Sequence, residues 1–440
     1  MHKKTQAHFA YSRRFAPMFL TQFFGAFNDN VFKQLLLLLM SYGWLQNISN
    51  VSLFTNLAAL LFILPYFIFS ATAGQIADRY ERAALIRKLK LLEIIIMLLA
   101  TVGLFLGNVW LLLLSLFLMG TQSTFFGPIK YAILPDILHE QELISGNAIF
   151  QAGTSLAILF GMLLGGVLIF YAQGQMWVMS AAILALAILG YMASVAILPQ
   201  RIAAPQLKIN WNFLQTSWQT LAYIRQLPLI FLILLGNSWY WFYGATLLTQ
   251  IPEMTKIHLL GNETIVSLLL TCFSIGVGIG SFLCQRIGKN LAPRQLLKLI
   301  FTGAIGLTLF ALYLAYALYV APVRTQLLTI SEFLSQPIYL HSLLATTLLG
   351  IVGGFYIVPL YTMMQYFSPA THRARIVAGN NILNAIFMVS SAIISILILS
   401  VMKLSIIQLL IILAVFNSGF TWLLLRQLRK NKQLKHQNPA

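Results

Sequence analysis

Asp29 departs sharply from the residues around it: it is an aspartate in the middle of an apolar stretch, flanked by Asn28 and Asn30 and followed four residues later by Lys33. Successive helical residues turn by about 100°, so Gln22, Asp29 and Lys33 fall within roughly 40° of one another. Asp29 and Lys33 are spaced to pair directly, which predicts a neutral dipolar site with hydrogen-bonding capacity. Of the ten acidic residues, only Asp29 is expected deep inside an apolar segment, where an ionisable group is costly unless it faces a cavity or a partner. Two roles fit: a polar binding surface shared by Gln22, Asp29, Asn30 and Lys33, or a pair that locks its helix to its neighbours.

Two uncharged stripes are candidates of the same kind. Asn147, Gln151 and Thr154 share one helical face, while Asn380, Asn384, Ser391 and Ser395 share another. Such faces either line a cavity or act as interhelical hydrogen-bond glue. In Gly127-Pro128-Ile129-Lys130-Tyr131, proline and glycine are expected to interrupt a helix just before Lys130. That lysine can meet a phosphate or anchor the helix at an interface. The run Trp239-Tyr240-Trp241-Phe242-Tyr243 reads as packing or an interfacial belt rather than a ligand site.

The elements that position these residues must lie in lipid. Hydrophobic residues make up 59% of the 440-residue chain and charged residues 9%, too few to cover a water-soluble surface. A hydrocarbon core of roughly 30 Å needs about 20 apolar residues per span. Spans are expected near 15–40, 52–76, 90–107, 109–128, 145–171, 175–198, 227–250, 264–285, 299–320, 341–367, 376–400 and 404–425, making an all-α membrane protein of twelve transmembrane helices. The first stretch is too long for a signal peptide and has no small-residue cleavage site. Cys272 and Cys284 are twelve residues apart in one apolar run, about 18 Å along a helix, and cannot bridge each other.

The net charge of +18 reports orientation rather than a nucleic-acid partner. Lys3, Lys4, Arg13, Arg14, the group Arg79, Arg82, Arg87, Lys88 and Lys90, then Lys130, Arg286, Lys289, Arg373, Arg375 and a tail with Arg426, Arg429, Lys430, Lys432 and Lys435 all fall on one side. Only Lys256, Arg324 and Lys403 fall on the other. By the positive-inside rule both termini are cytoplasmic, and anionic lipid headgroups are the expected partner of the basic charge.

The chain also repeats. Gly146-Asn147-Ala148-Ile149-Phe150-Gln151-Ala152 opens span five, and Gly379-Asn380-Asn381-Ile382-Leu383-Asn384-Ala385 opens span eleven. Each follows a short loop with a proline, Pro135 or Pro369. The pattern predicts two six-helix halves, 1–198 and 227–425, joined by a polar linker at 199–226 and followed by a basic tail at 426–440. Gly161 with Gly165 and Gly276 with Gly280 are small-xxx-small packing sites. Between spans two and three, Gly74-Gln75-Ile76-Ala77-Asp78-Arg79 precedes Arg82. A carboxylate with clustered arginines at helix ends can bridge neighbouring helices, so Gly74, Asp78, Arg79 and Arg82 are candidate gating residues. The matching loop of the second half, Gly280 to Lys289, has Cys284 where the aspartate would stand.

That loop resembles the signature of the major facilitator superfamily. Together with Gln22 to Asn30, Gly127 to Leu134, and Gly146-Asn147 running to Gly165-Gly166, it resembles the bacterial lysophospholipid transporter branch. The wording around Asn28-Asp29-Asn30-Val31-Phe32-Lys33 is most similar to modules fused to acyltransferase and acyl-carrier-protein synthetase domains. The resemblance implies the superfamily fold and a flippase that brings lysophosphatidylethanolamine and related lipids from the outer to the inner leaflet of the cell inner membrane for reacylation. Asp29 and Lys130 stand at signature positions. The chain ends at Ala440, so reacylation would fall to separate enzymes. The stand-alone branch carries a basic residue in span seven; 229–250 has none, which shifts headgroup recognition to Lys33. On this reading Asn147, Gln151, Asn380 and Asn384 line the headgroup's route as the halves rock.

Two alternatives remain: proton-coupled efflux of amphiphiles on the same fold, disfavoured because span five lacks the antiporter proline, and a non-transporting scaffold for an acyltransferase. No metal-ligand spacing, nucleotide loop or nucleophile with a base points to an enzyme or a cofactor.

Overall fold

A computed structural model describes residues 9–41, 51–172, 175–322 and 328–431. Lys3, Lys4, Arg324, Lys432 and Lys435 lie outside the described residues, as does most of the expected basic tail. Twelve described helices are 20 residues or longer: α1 (Ala16–Ser41), α2 (Val51–Arg79), α3 (Arg82–Phe105), α4 (Val109–Ala132), α5 (Leu143–Ala172), α6 (Met176–Val195), α7 (Pro228–Ile257), α8 (Glu263–Gly288), α9 (Leu296–Tyr319), α10 (Pro337–Phe367), α11 (Arg373–Ile396) and α12 (Ile406–Lys430). The extended pairing recorded among the described residues is one isolated bridge, Gly261 to Leu328.

Nine of these helices are long and apolar enough to cross a membrane, or ten when Phe213–Arg225 and α7, bent by 115°, are taken as one span. The other two, α1 and α3, match them in length but carry Asn28, Asp29, Asn30 and Lys33, or Arg82, Arg87, Lys88, Lys90 and Glu93. Helix ends follow local chemistry. The Glu81 side chain caps α3 by accepting from the Ala83 and Ala84 amides, Asn108 caps α4, and Ser405 with Gln408 forms a capping box on α12. Pro128 does not end α4, which continues to Ala132: a proline removes one amide donor, and tight packing of Phe126 to Ile129 holds the helix together across it. The expected tail likewise begins as helix, since Arg426 to Lys430 are the last turn of α12.

The helices pack in a recurring pattern. In the first half α1 packs on α6, α3 on α6 and α4, and α2 on α4; in the second, α7 packs on α12, α9 on α12 and α10, and α8 on α10. Each pairing recurs six helices later. The small residues work as expected. Gly161 and Gly165 of α5 lie against Asn30 and Gln34 of α1, while Gly276 and Gly280 of α8 meet the Thr347 and Ile351 carbonyls of α10. Backbones approach closely there because no side chain intervenes.

The described residues form two compact units. One comprises the described parts of Met1–Glu142 with Leu156–Gln226 and Ser368–Ile382; the other comprises Leu143–Ser155, Leu227–Phe367 and the described part of Leu383–Ala440. Two unit boundaries fall inside helices, after Ser155 in α5 and after Ile382 in α11. The first unit has a core of Val31, Leu35, Ile96, Met97, Leu112, Met119 and Ile183, drawn from α1, α3, α4 and α6.

Candidate functional site

Within the first unit, α1, α3 and α4 bring five charged side chains into one electrostatic group: Asp29, Lys33, Lys90, Glu93 and Lys130. Asp29 and Lys33 do not close the ion pair that their spacing predicts. Asp29 Oδ2 instead accepts from the Ser123 hydroxyl of α4 at 2.8 Å, and the Lys33 ammonium lies 4.3 Å from the centre of the Phe62 ring. The spacing allowed the pair, but tertiary neighbours offered each partner an alternative. Lys130 stands 5.1 Å over Tyr131. Asp29, Lys33 and Lys130 are all partly exposed. Gln22 is buried. Asn30 is turned towards α5, with its amide donating to the Ala26 carbonyl at 2.7 Å.

The ion pair actually present in this group joins Lys90 and Glu93 on α3, 2.6 Å apart and each 1% exposed. Glu93 is thus an acid more deeply buried than Asp29, and Lys90 is not a loop residue. Asn28 of α1 donates to Glu93 Oε1 at 3.0 Å, and Gln122 of α4 donates to Glu93 Oε2 at 3.2 Å. Gln122 Oε1 stands 3.3 Å from the Ser123 Oγ whose single hydrogen goes to Asp29 at 2.8 Å, so polar groups lie in a row from the sealed pair to Asp29. A β-carbon at Gly25 would overlap the Lys90 ammonium. Two signals in the sequence point to this pair: its i,i+3 spacing and the glycine at 25.

The candidate gating residues come together at the start of α11. Asp78, fully buried at the end of α2, accepts from the Ala374 amide at 3.1 Å and from the Arg375 amide and Nε at 3.2 and 3.1 Å. Those amides are unpaired donors of a helix N-terminus, where a carboxylate is also favoured by the helix dipole. Arg82 donates to Asp78 at 3.2 Å and pairs with Asp136, which also receives Arg373 at 3.0 Å. Arg79 instead reaches the Leu207 carbonyl in the linker. A β-carbon on Gly74 would stand 2.7 Å from that of Ala378, so α2 can approach α11 only with glycine there. Asp136, Arg373 and Arg375 join this cluster without standing out in the sequence, because nothing local tells which helix start a distant aspartate will cap.

The polar stripes are largely paired. In the second unit Asn147 and Gln365 of α10 exchange amide hydrogen bonds at 2.5 and 3.1 Å, and Asn384 accepts from Ser238 of α7 at 2.9 Å. Gln151 in that unit is partly exposed. In the first unit Asn380 is buried.

Comparison with known proteins agrees with this architecture. The profile of the Major Facilitator Superfamily matches residues 18–388. The chain is 26% identical to "Lysophospholipid transporter LplT" of Pectobacterium carotovorum subsp. carotovorum (strain PC1), over 84% of this chain and 82% of that one. It is 25% identical to the protein of the same name in Yersinia pestis (strain Pestoides F), over 80% and 79%. In fold it is similar to the human organic anion transporter MFSD10 (TETRAN), with a TM-score of 0.73, 13% identity and coverage of 94% of this chain and 99% of that one. The transporter FucP in its outward conformation gives 0.68 and 14%, over 93% and 97%. The chain belongs to the major facilitator superfamily and is a multi-pass membrane transport protein rather than an enzyme.

Proposed function

We propose that this protein transports lysophospholipids, carrying lysophosphatidylethanolamine and related lipids from the outer to the inner leaflet of the cell inner membrane by alternating access. The observation that carries the reading is the charged group on α1, α3 and α4. With every member ionised, three lysines against two carboxylates leave one positive charge uncompensated. The buried pair satisfies Lys90 and Glu93, so the surplus falls to the partly exposed Lys33 and Lys130, which suit a phosphate. Asp29 beside them suits the ammonium of a zwitterionic headgroup. A single acyl chain needs no polar path and can stay among apolar side chains or in lipid. The relatives named as lysophospholipid transporters support the same substrate class.

In this mechanism Gly74, Asp78, Arg79 and Arg82 hold the cytoplasmic helix ends closed, and release of Asp78 from the start of α11 opens them. Gln151 and Asn380 belong to the polar route; Asn147 and Asn384 join it when they exchange Gln365 and Ser238 for the headgroup. Both termini face the cytoplasm, and a separate acyltransferase consumes the delivered lipid.

Reconstitution in vesicles with labelled lysophosphatidylethanolamine in one leaflet tests the proposal. Exchange no faster than in empty vesicles, with folded protein, would reject it. Asp29→Asn and Lys33→Ala should each slow exchange about tenfold or more, the effect of removing one charged contact; wild-type rates for both would return these residues to a structural role.

A further inference from the structure

A cavity of about 460 Å³ opens between α9 and α12, within the roughly 300–1,000 Å³ usual for sites that enclose a small ligand. Its walls are apolar and outward-facing: Leu309 is 56% and Trp422 60% exposed. The hydroxyls within it are already engaged, since Thr308 and Ser418 bond each other at 3.0 Å and Thr421 bonds the Asn417 carbonyl.

One end differs. Arg426, Arg429 and Lys430 line it, all three are exposed, and none is in an ion pair among the described residues. The Arg426 guanidinium lies 5.2 Å over Trp422 and that of Arg429 5.7 Å over Phe301, so aromatic faces hold both cations at the mouth. A helix C-terminus favours basic residues, but that does not account for an apolar cavity leading to them. We propose that this cavity binds one anionic membrane phospholipid, its phosphate held by Arg426, Arg429 and Lys430 and an acyl chain laid along Ile305, Leu309 and Trp422. Charge complementarity selects this occupant over the chain's own residues 432–440, which carry Lys432 and Lys435 and no acidic side chain.

The test uses the full chain reconstituted in phosphatidylcholine bilayers doped with phosphatidylglycerol, followed by native mass spectrometry of retained lipid. Phosphatidylglycerol should be retained over phosphatidylcholine, and the variant R426Q/R429Q/K430Q should lower that preference about tenfold or more. Leu309→Trp, which fills the cavity and leaves the cations in place, should also reduce retention. Lysophosphatidylglycerol should compete, because the phosphate and a single chain suffice. Absence of headgroup preference, unchanged retention in both variants, or loss only in K432Q/K435Q would overturn the site. Transport of lysophosphatidylethanolamine by the same preparations is read separately, so failure of that activity and failure of this site are distinguishable.

Discussion

The same trio of helices is knitted together twice in this protein, once with charge and once without. In the first half α1, α3 and α6 meet at Lys90: its ammonium pairs with Glu93, Asn28 of α1 bonds the carboxylate, and Gly25 and Gly190 of α1 and α6 face the lysine side chain. In the second half α7, α9 and α12 meet at Asn417, which accepts from Trp239 Nε1 at 2.8 Å and donates to the Ala304 carbonyl and Thr308, each at 2.9 Å. The helix-end junctions differ in the same sense. Asp78 holds the start of α11 in the first unit through charged hydrogen bonds. In the second, Gly288 at the end of α8 meets the apolar side chain of Ile144 at the start of α5, and Cys284 is a buried free thiol. The helix pairing is the same in both sets while the polar chemistry differs: one set is joined by buried charge, the other by an amide and aromatic side chains. Packing tolerates such exchange because it depends on shape, whereas a buried charge requires every partner at once.

Breaking the charged knot should have the largest effect. Glu93→Gln and Lys90→Met should each destabilise the protein by about 3–5 kcal/mol, the cost of stranding a buried charge, while K90M/E93M should recover much of the loss. Thermal unfolding of purified protein measures this, and additive losses would show that the two residues do not act as a pair. Asp78→Ala comes next, at about 3 kcal/mol, since its partner Arg375 is 17% exposed and water relieves part of the penalty. It should also raise hydrogen exchange at the start of α11; unchanged exchange would leave Asp78 out of the closure. Asn417→Ala, in the uncharged knot, should cost about 1–3 kcal/mol for the unpaired Trp239 and Ala304 groups. A loss equal to that of Glu93→Gln would erase the contrast between the halves. The smallest effect belongs to the cysteines: a thiol reagent should modify the partly exposed Cys272 and spare the buried Cys284, with mass spectrometry of the labelled protein as the readout.

Composition and hydrophobic run length were enough for an all-helical membrane fold, because lipid forces every backbone group into helix or closed barrel. Every expected span corresponds to a long helix. The small-residue spacings at Gly161, Gly165, Gly276 and Gly280 named real close contacts, since a missing side chain acts locally. Asp29 and Lys33 stood out because a charge in an apolar stretch is conspicuous whatever surrounds it, and Asp78 because a carboxylate stands out among clustered arginines.

Their partners were another matter. Asp29 took Ser123, 94 residues away, in place of Lys33 four residues on; Asp78 took the amides of Ala374 and Arg375, nearly 300 residues downstream; and Glu93 joined Lys90 to Asn28 and Gln122. Sequence by itself determined the number of long helices, their repeat and which residues are polar where lipid is expected. Tertiary structure alone decided which of those polar groups meet, because a hydrogen bond is set by angles and distances of a few ångströms that helix periodicity constrains only within one helix.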